Sequence, residues 1–418
     1  MRALLLAAAI VSLPLFASAQ SGSSVRYKLD EVQASLAMQG IDGWLLVNNR
    51  RSNPVAIELI NPTGNPAHEW FYLIPAAGKP AALVHESDRL FFASTGASLS
   101  TYSDRGKLRA ALAKLLKGKK KVAAEYAPKS KIAALTRIDP ATARLIQRTR
   151  VKLVSSANLV QFTKSLWEAD GRIAHYVVAH HLEALRKQAF AHLRRELEAG
   201  RKVTEHDLQQ LIAKGFEIRG IGGGIPAIAS GPNTADPTYM PPEQGSRDIA
   251  RGDLIRLTLW ARLDGAPRPI YANMTWMAYV GDKIPLKYSD AFQLVARARD
   301  AAISLIRERV ARRRTVKGYE PARAARKVIS DAGLAAAFPH RTGHSLDTSV
   351  VGDGANLDDR DIKDTRPLVR GAGFTIEPGI YFKGDFGMKT EINVFIGRKG
   401  LEITTPVQRE LTAIFAQK

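Results

Sequence analysis

Apolar positions from Tyr27 to Gln39 recur at helical spacing, and Gly40 stops the pattern. The run IDGWLLVNN that follows is continuously apolar and predicts a buried strand. Pro54, Pro62, Gly64 and Pro66 predict a loop, after which WFYLIP and AALVHES predict two strands joined by a turn at residues 77–80. A helix over 108–116, a strand in KKVAAEYAP, a short helix over 132–148 and a strand in VKLVSS continue the alternation. Helices and strands interleaved in this way predict an α/β domain over residues 27–157.

From residue 158 to 418 the pattern changes. A long helical stretch over 159–197 carries His175, His180, His181 and His192. His175 and His180 fall on different faces, and His181 and His192 are separated by about three turns. These spacings predict histidines at the helix surface or ends rather than metal ligands. His68 and His85, which have no partner cluster in the sequence, are expected to be structural. Thr204 followed by Asp207 predicts a helix N-cap with an acid in the first turn. The segment IGGGIPAIASG lacks both GxGxxG and a phosphate-loop lysine, so it predicts tight turns feeding a strand. In DLIRLTLWARL, alternation places Leu254, Arg256, Thr258 and Trp260 on one face; in YANMTWMAYVG it groups Asn273, Thr275 and Met277. Helices over 288–310 and 321–332 lead to HRTGHSLDTSVVGDGANLDD, GAGFTIEPGIYF and GMKTEINVFI. The order predicts helices outside a mostly antiparallel sheet, an α+β arrangement.

Composition narrows the setting. The chain has 418 residues, enough for two domains, and 45% are hydrophobic against 24% charged, an ordinary globular balance. The start MRALLLAAAIVSLPLFASAQ reads as a signal peptide over 1–19, with cleavage after Ala19 and a flexible leader over 20–26. No later stretch is apolar enough to read as transmembrane. Cysteine is absent, so export would bring no disulfides; the expected location is a bacterial periplasm. The formal charge is +21, concentrated at Lys117–Lys121 and Arg307–Lys317. Neither cluster has interleaved aromatics or a nucleic-acid module pattern, so no nucleic acid is expected; the basic surface suits anionic envelope components.

The candidate chemistry lies near the C-terminus. Glu377 and Glu391 each sit inside an alternating apolar segment, where an acid is costly to bury unless paired or bound to a metal. His344 completes the group on which chemistry is expected.

At HRTGH, GANLD, FTIEPGIY with GMKTEI, ADPTY and GDLIRLTLW…YANMTW the sequence resembles the creatinase, methionine aminopeptidase and prolidase superfamily, peptidase family M24. The likeness runs from IDGWLL to the C-terminus and is strongest to the X-Pro dipeptidase and X-Pro aminopeptidase branch. It implies a pita-bread C-terminal domain, a curved and mostly antiparallel sheet with outer helices, behind a smaller α/β creatinase-type N-terminal domain. Active members hold two divalent ions on two aspartates, one histidine and two glutamates. His344, Glu377 and Glu391 match three of these, whereas Thr258 and Asn273 stand at the aspartate positions. Thr238 and Val351 replace two histidines of the family's site, His340 remains, and Lys389 stands for the usual arginine.

Two divalent ions carry +4, and Glu377 with Glu391 return only −2, so no dinuclear centre is expected. The expectation is no cofactor, or one weakly held zinc, manganese or cobalt ion on His344, Glu377, Glu391 and the Asn273 amide oxygen. Arg256, on the face of Thr258, would oppose a metal and favour an anion if it points inward; the alternative is pairing with an acid at the sheet edge. Arg256, Trp260, Tyr271 and Lys389 are the pocket candidates. Three functions stay open: an X-Pro peptidase-like protein that has lost dinuclear catalysis and binds a small molecule, short peptide or partner; a single-metal X-Pro hydrolase; or a metal-free creatinase-like enzyme using His340, His344 and Glu377 as acid or base. Family members are often dimers, so a homodimer is the assembly to test.

Overall fold

The structure, a computed structural model, describes residues 25–129, 132 and 135–416; the expected signal segment and leader residues 20–24 lie outside them. The N-terminal half contains α1 (Leu29–Met38), β1 (Gly43–Asn48), α2 (Pro54–Ile60), β2 (Trp70–Pro75), β3 (Ala81–His85), β4 (Ser98–Tyr102), α3 (Arg105–Leu115), β5 (Lys121–Ala124), α4 (Pro140–Gln147) and β6 (Lys152–Ser155). The strands form one sheet in the order β4-β3-β2-β1-β5-β6. Every residue of β1 and β2 is buried, because helices cover both faces. Trp44, Leu46, Tyr72 and Ile74 pack with α1 and α2, while Leu45, Val47, Phe71 and Leu73 pack with α3 and α4.

Two local expectations here need correction. The proline-punctuated loop contains α2: Pro54 opens the helix, where its missing N–H costs nothing, and the Asn53 side chain accepts from Ala56 N. The helix expected over 132–148 is only 140–147, because Asp139 caps it by accepting from Ala141 and Thr142 N–H groups.

The C-terminal half contains α5 (Ala157–Lys164), α6 (Ala169–Glu198), α7 (Glu205–Ile218), β7 (Ile221–Gly222), β8 (Ala227–Ser230), β9 (Leu254–Leu263), β10 (Ala272–Tyr279), α8 (Leu286–Ala311), α9 (Tyr319–Asp331), β11 (Ser345–Leu346), β12 (Gly373–Ile376), β13 (Gly379–Phe382), β14 (Phe386–Lys389), β15 (Ile392–Gly397), β16 (Gly400–Ile403) and β17 (Thr412–Ala413). One sheet runs β17-β10-β9-β7 with β8 also on β9, a second runs β11-β12-β15-β16, and β13 and β14 form a hairpin. Helices α6 and α7 bury Leu182, Leu193, Leu208 and Ile212 against Ile255, Leu257, Leu259 and Met274 of the first sheet. Helices α8 and α9 do the same for the second, with Val295, Ile303 and Ile329 on Phe374, Ile376, Ile392 and Val394. The two sheets join at a bridge between Thr275 and Glu391. Alternation then leaves Arg256, Thr258, Asn273 and Thr275 on the helix-free face of one sheet, and Thr375, Glu377, Glu391 and Asn393 on that of the other. The α+β fold class is as expected. Among the described residues no helix is long and apolar enough to cross a membrane.

The helix expected over 159–197 is two helices. Between them Leu166 bridges to Ala372 and Trp167 N–H donates to Gly371 O, so the chain is drawn out to extend a sheet edge. Asp207 and Thr204 form the expected cap as a reciprocal capping box. His175 is not at the surface: it is fully buried, with Nδ1–H donating to Tyr271 O (2.7 Å) and Nε2 accepting from Thr404 Oγ1 (2.7 Å). Burial pushes His175 down from 6.5 to about 4, only partly offset by the Tyr271 carbonyl.

The folded state therefore keeps His175 neutral while the unfolded chain takes up its proton below about pH 6.5. Its contribution is intact above that pH and is lost as pH falls toward 4. Denaturant unfolding at pH 7 and pH 4 should show wild type losing roughly 2–3 kcal/mol more stability than His175→Gln. Equal losses in the two proteins would contradict this account.

Candidate active site

The site is assembled by strand ends. Glu377 follows β12 and its N–H donates to Thr342 O at 2.7 Å; Glu391 precedes β15 and is bridged to β10. His344 is locked to β12 by a reciprocal pair, its N–H donating to Thr375 Oγ1 (2.9 Å) and its carbonyl accepting from Thr375 N (2.8 Å). His344, Glu377 and Glu391 are all buried, and one ligand atom from each lies within 4.8 Å of the others. Among the described residues this is the one such cluster of three.

Lys389, the last residue of β14, projects between the two carboxylates. Its Nζ donates to Glu377 Oε2 at 2.7 Å and to Glu391 Oε2 at 3.1 Å. Burial alone would raise Glu377, but the Lys389 ammonium beside it holds its carboxyl well below the usual range. Burial likewise disfavours the charged lysine, and Glu377 and Glu391 reverse this, keeping the ammonium protonated. The cluster carries −1 from two glutamates and one lysine (−2 + 1), with both histidines neutral.

The histidines are neutral for identifiable reasons. Burial depresses His344 despite Glu377 nearby, and Nδ1–H donates to Ser345 O at 3.0 Å. This fixes the tautomer, so the Nε2 lone pair faces Glu377 Oε1 at 3.6 Å. A backbone carbonyl on Nδ1 is also how a metal-binding imidazole is oriented. His340 is pushed down to about 4 by burial; its Nδ1–H donates to Arg341 O (2.7 Å) and its Nε2 accepts from Tyr381 Oη (3.0 Å).

Opposite the glutamates the expected aspartate positions are filled by neutral groups. Thr275 Oγ1 donates to Glu391 Oε2 at 2.7 Å, and Thr258 Oγ1 lies 3.0 Å from Thr275 Oγ1. Because Thr275 spends its proton on Glu391, Thr258 is the donor, giving a hydroxyl relay from Thr258 through Thr275 to Glu391. Asn273 N–H donates to Asn393 Oδ1 at 2.7 Å, while the buried Asn273 Oδ1 has no hydrogen-bond partner. The two remaining replaced positions are exposed: Val351 lies on a loop, and Thr238 bonds Asp236 through its N–H (2.8 Å) and hydroxyl (2.7 Å).

Three pocket candidates are used differently from expectation. Arg256 does point inward and is buried, but Nη1 donates to Thr234 O (2.8 Å) and Nη2 to Asp236 O (2.6 Å). Its guanidinium thus ties down the 234–236 turn; it is neither paired with an acid's side chain nor left free for an anion. Tyr271 is buried with Trp167, Ile270, Leu346 and Phe395, and its hydroxyl donates to Gly223 O at 3.0 Å. Trp260 packs on the edge of that cluster. Both aromatic rings serve packing. Thr275 was named from the sequence only as sharing the Asn273 face, and Thr375 was not singled out; it lies two residues from Glu377, and that parity is the signal that could have found it.

A dinuclear centre does not fit this donor set, since Thr258 is engaged in the relay and Asn273 offers one neutral oxygen. A single ion finds a matched Nε2, two carboxylates and the orphaned Asn273 Oδ1, but only with Lys389 displaced.

The profile of metallopeptidase family M24 matches residues 174–398, and the chain belongs to that family. Among curated relatives, a probable dipeptidase PepE of Mycobacterium tuberculosis is 29% identical over 212 residues, 50% of this chain and 52% of that protein. The match thus spans about half the length of such relatives. Among solved structures, dipeptidase PepE from Mycobacterium ulcerans superposes with a TM-score of 0.68 at 21% identity, over 92% of this chain and 96% of that one. The X-Pro aminopeptidase from Thermotoga maritima gives 0.62 at 19%, over 92% and 99%. An X-prolyl aminopeptidase from Caenorhabditis elegans, described as having a di-nuclear active site, gives 0.60 at 19%, over 91% and 62%. These likenesses establish the pita-bread fold.

Removing the lysine charge should leave two adjacent buried carboxylates uncompensated. Lys389→Met is expected to lose about 3 kcal/mol or more of stability at pH 7. Added zinc or manganese should restore its melting temperature while leaving wild type unmoved. A variant as stable as wild type would show that Lys389 does not neutralise the pair.

Proposed function

We propose that this chain is an X-Pro peptidase-like M24 protein that no longer performs dinuclear metal hydrolysis and that binds a short peptide or small molecule in its cleft. The observation that carries the reading is Lys389 Nζ on Glu377 Oε2 and Glu391 Oε2, a tethered cation where the family's metal ligands converge. Thr258 and Asn273 support it, because the carboxylates that would balance two divalent ions are missing. The signal-like start and the absence of cysteine support export to a periplasm, where the basic surface would meet anionic envelope components.

A second reading, a single-metal hydrolase, is favoured by the His344 tautomer and the unpartnered Asn273 Oδ1. His344, Glu377, Glu391 and Asn273 would hold the ion, which would polarise a carbonyl and acidify a bound water.

The deciding experiment is hydrolysis of X-Pro dipeptides with manganese, cobalt or zinc, alongside metal analysis after dialysis. The first reading expects no turnover above a protein-free blank and no stoichiometric metal. Turnover that scales with bound metal and vanishes in Glu377→Gln would overturn it in favour of the second. Under the first reading, Thr258→Asp combined with Asn273→Asp should raise metal uptake above that of wild type, since it returns two carboxylates to the cleft.

A further inference from the structure

We infer that one end of the N-terminal sheet is a docking surface for an anionic phospholipid bilayer. The inference rests on the reading above that the chain is exported and its basic surface meets anionic envelope components; it names the surface and the partner.

The patch is assembled by strand pairing. β5 runs parallel to β1 and β6 parallel to β5, with Gly43 beside Val122 and Lys121 beside Lys152. The first residues of these strands, and the turns before them, therefore lie at one end of the sheet. The turn after α3 carries Lys117, Lys119 and Lys120; the turn after α4 carries Arg148 and Arg150, ahead of Lys152 in β6. Lys152 N–H donates to Lys120 O at 2.8 Å, which sets the two turns side by side. Antiparallel β2 ends here as well, Pro75 beside Gly43, and its turn to β3 adds Lys79.

This charge is not neutralised within the molecule. Lys117, Lys120, Arg148, Arg150 and Lys152 are exposed and Lys119 is half-buried. None of the six is in an ion pair among the described residues. Asp42 is the one acid within residues 39–43, 75–81, 117–121 and 148–152, which form this end. Its carboxylate is spent on the N–H groups of Lys120 (2.7 Å) and Lys121 (2.8 Å). Helices α3 and α4 also end here, but each C-terminus contributes only about half a negative charge. The second basic run, residues 307–317, is different: Arg309 pairs with Glu320 (3.4 Å) and Arg312 with Glu308 (2.9 Å). Two runs that look alike in the sequence are thus separated by the fold into one partly neutralised and one open.

The shape of the patch selects the partner. Neighbouring strands stand about 4.8 Å apart, so adjacent turns spread their cations over a face rather than along a groove. Neither turn has an aromatic side chain, which removes the stacking platform that single-stranded nucleic acid uses. The apolar residues at the turns, Leu116 and Val151, are buried, so nothing is offered for insertion and the contact is electrostatic. Phospholipid headgroups move laterally and gather under fixed cations, each of which adds to the attraction within a Debye length.

The test is co-sedimentation of the full chain with vesicles of phosphatidylcholine alone or of equal parts phosphatidylcholine and phosphatidylglycerol. The expected result is binding to the second kind only, abolished in about 1 M salt, where the Debye length falls to about 3 Å. Lys120→Gln, Arg148→Gln and Lys152→Gln combined, all at exposed side chains, should weaken binding at least about thirtyfold. The same charge removed from the second run, by Arg307→Gln, Arg313→Gln and Arg314→Gln, should weaken it less than about fivefold. No binding to anionic vesicles, equal binding to neutral ones, equal losses in the two triple variants, or tighter binding to duplex DNA than to anionic vesicles at the same salt overturns the inference. None of these outcomes turns on X-Pro hydrolysis or on signal cleavage, which decide the reading beneath it.

Discussion

Two carboxylates buried at the seam of two sheets require a positive charge, and the arrangement of the candidate site follows from how that requirement is met. Glu377 and Glu391 come from different strands, and the apolar faces of those strands commit them to the interior. Left alone, such a pair would hold at most one charge. Lys389 supplies that charge to both, and it does so from within the same covalent segment as Glu391. The histidines then need no charge of their own, and burial keeps them neutral. The threonine relay from Thr258 completes the hydrogen bonding of Glu391 without adding charge.

The same economy shows in how the halves of the molecule are joined. Lys164 at the end of α5 is 4% exposed and lies between Glu58 of α2 (2.7 Å) and Asp353 (2.6 Å). Asp353 N–H donates in turn to Asp347, which heads the loop carrying Val351. A buried lysine thus ties the N-terminal sheet to the loop beside the candidate site. Both acids share this one buried cation, so the contact between the two halves and the anchoring of Asp353 depend on a single lysine. Helix α6 contributes from the other side through His175, which pins Tyr271 O just before β10 begins.

Much of this was legible from residue patterns. The continuous runs of β1 and β2, the alternation in β9 and β10 and the capping box at Thr204 are local signals, and the chain obeys them. Where expectation failed, a contact distant in sequence won. The long helix broke at Leu166 and Trp167 because Gly371 and Ala372 offered strand partners more than 200 residues away. His175 left the surface because Thr404, equally remote, supplied its second hydrogen bond. Whether Arg256 faces inward or pairs with an acid at the sheet edge was open in the sequence; it faces inward, and its partners are backbone carbonyls, which carry no sequence signature.

By itself the sequence determined the family, the two kinds of sheet, and the identity of His344, Glu377 and Glu391 as residues of one site. It also placed Thr258 and Asn273 where the family resemblance leads one to expect aspartates. These are properties of residue type and spacing, and spacing survives without coordinates. Only the tertiary structure decided what occupies the space between the carboxylates. Lys389 and Glu391 are two residues apart, and their side chains share a direction in any extended segment; that Glu377 closes on the same ammonium depends on where another strand ends. An ion pair within a few ångströms is set by packing, and the sequence alone does not record that distance.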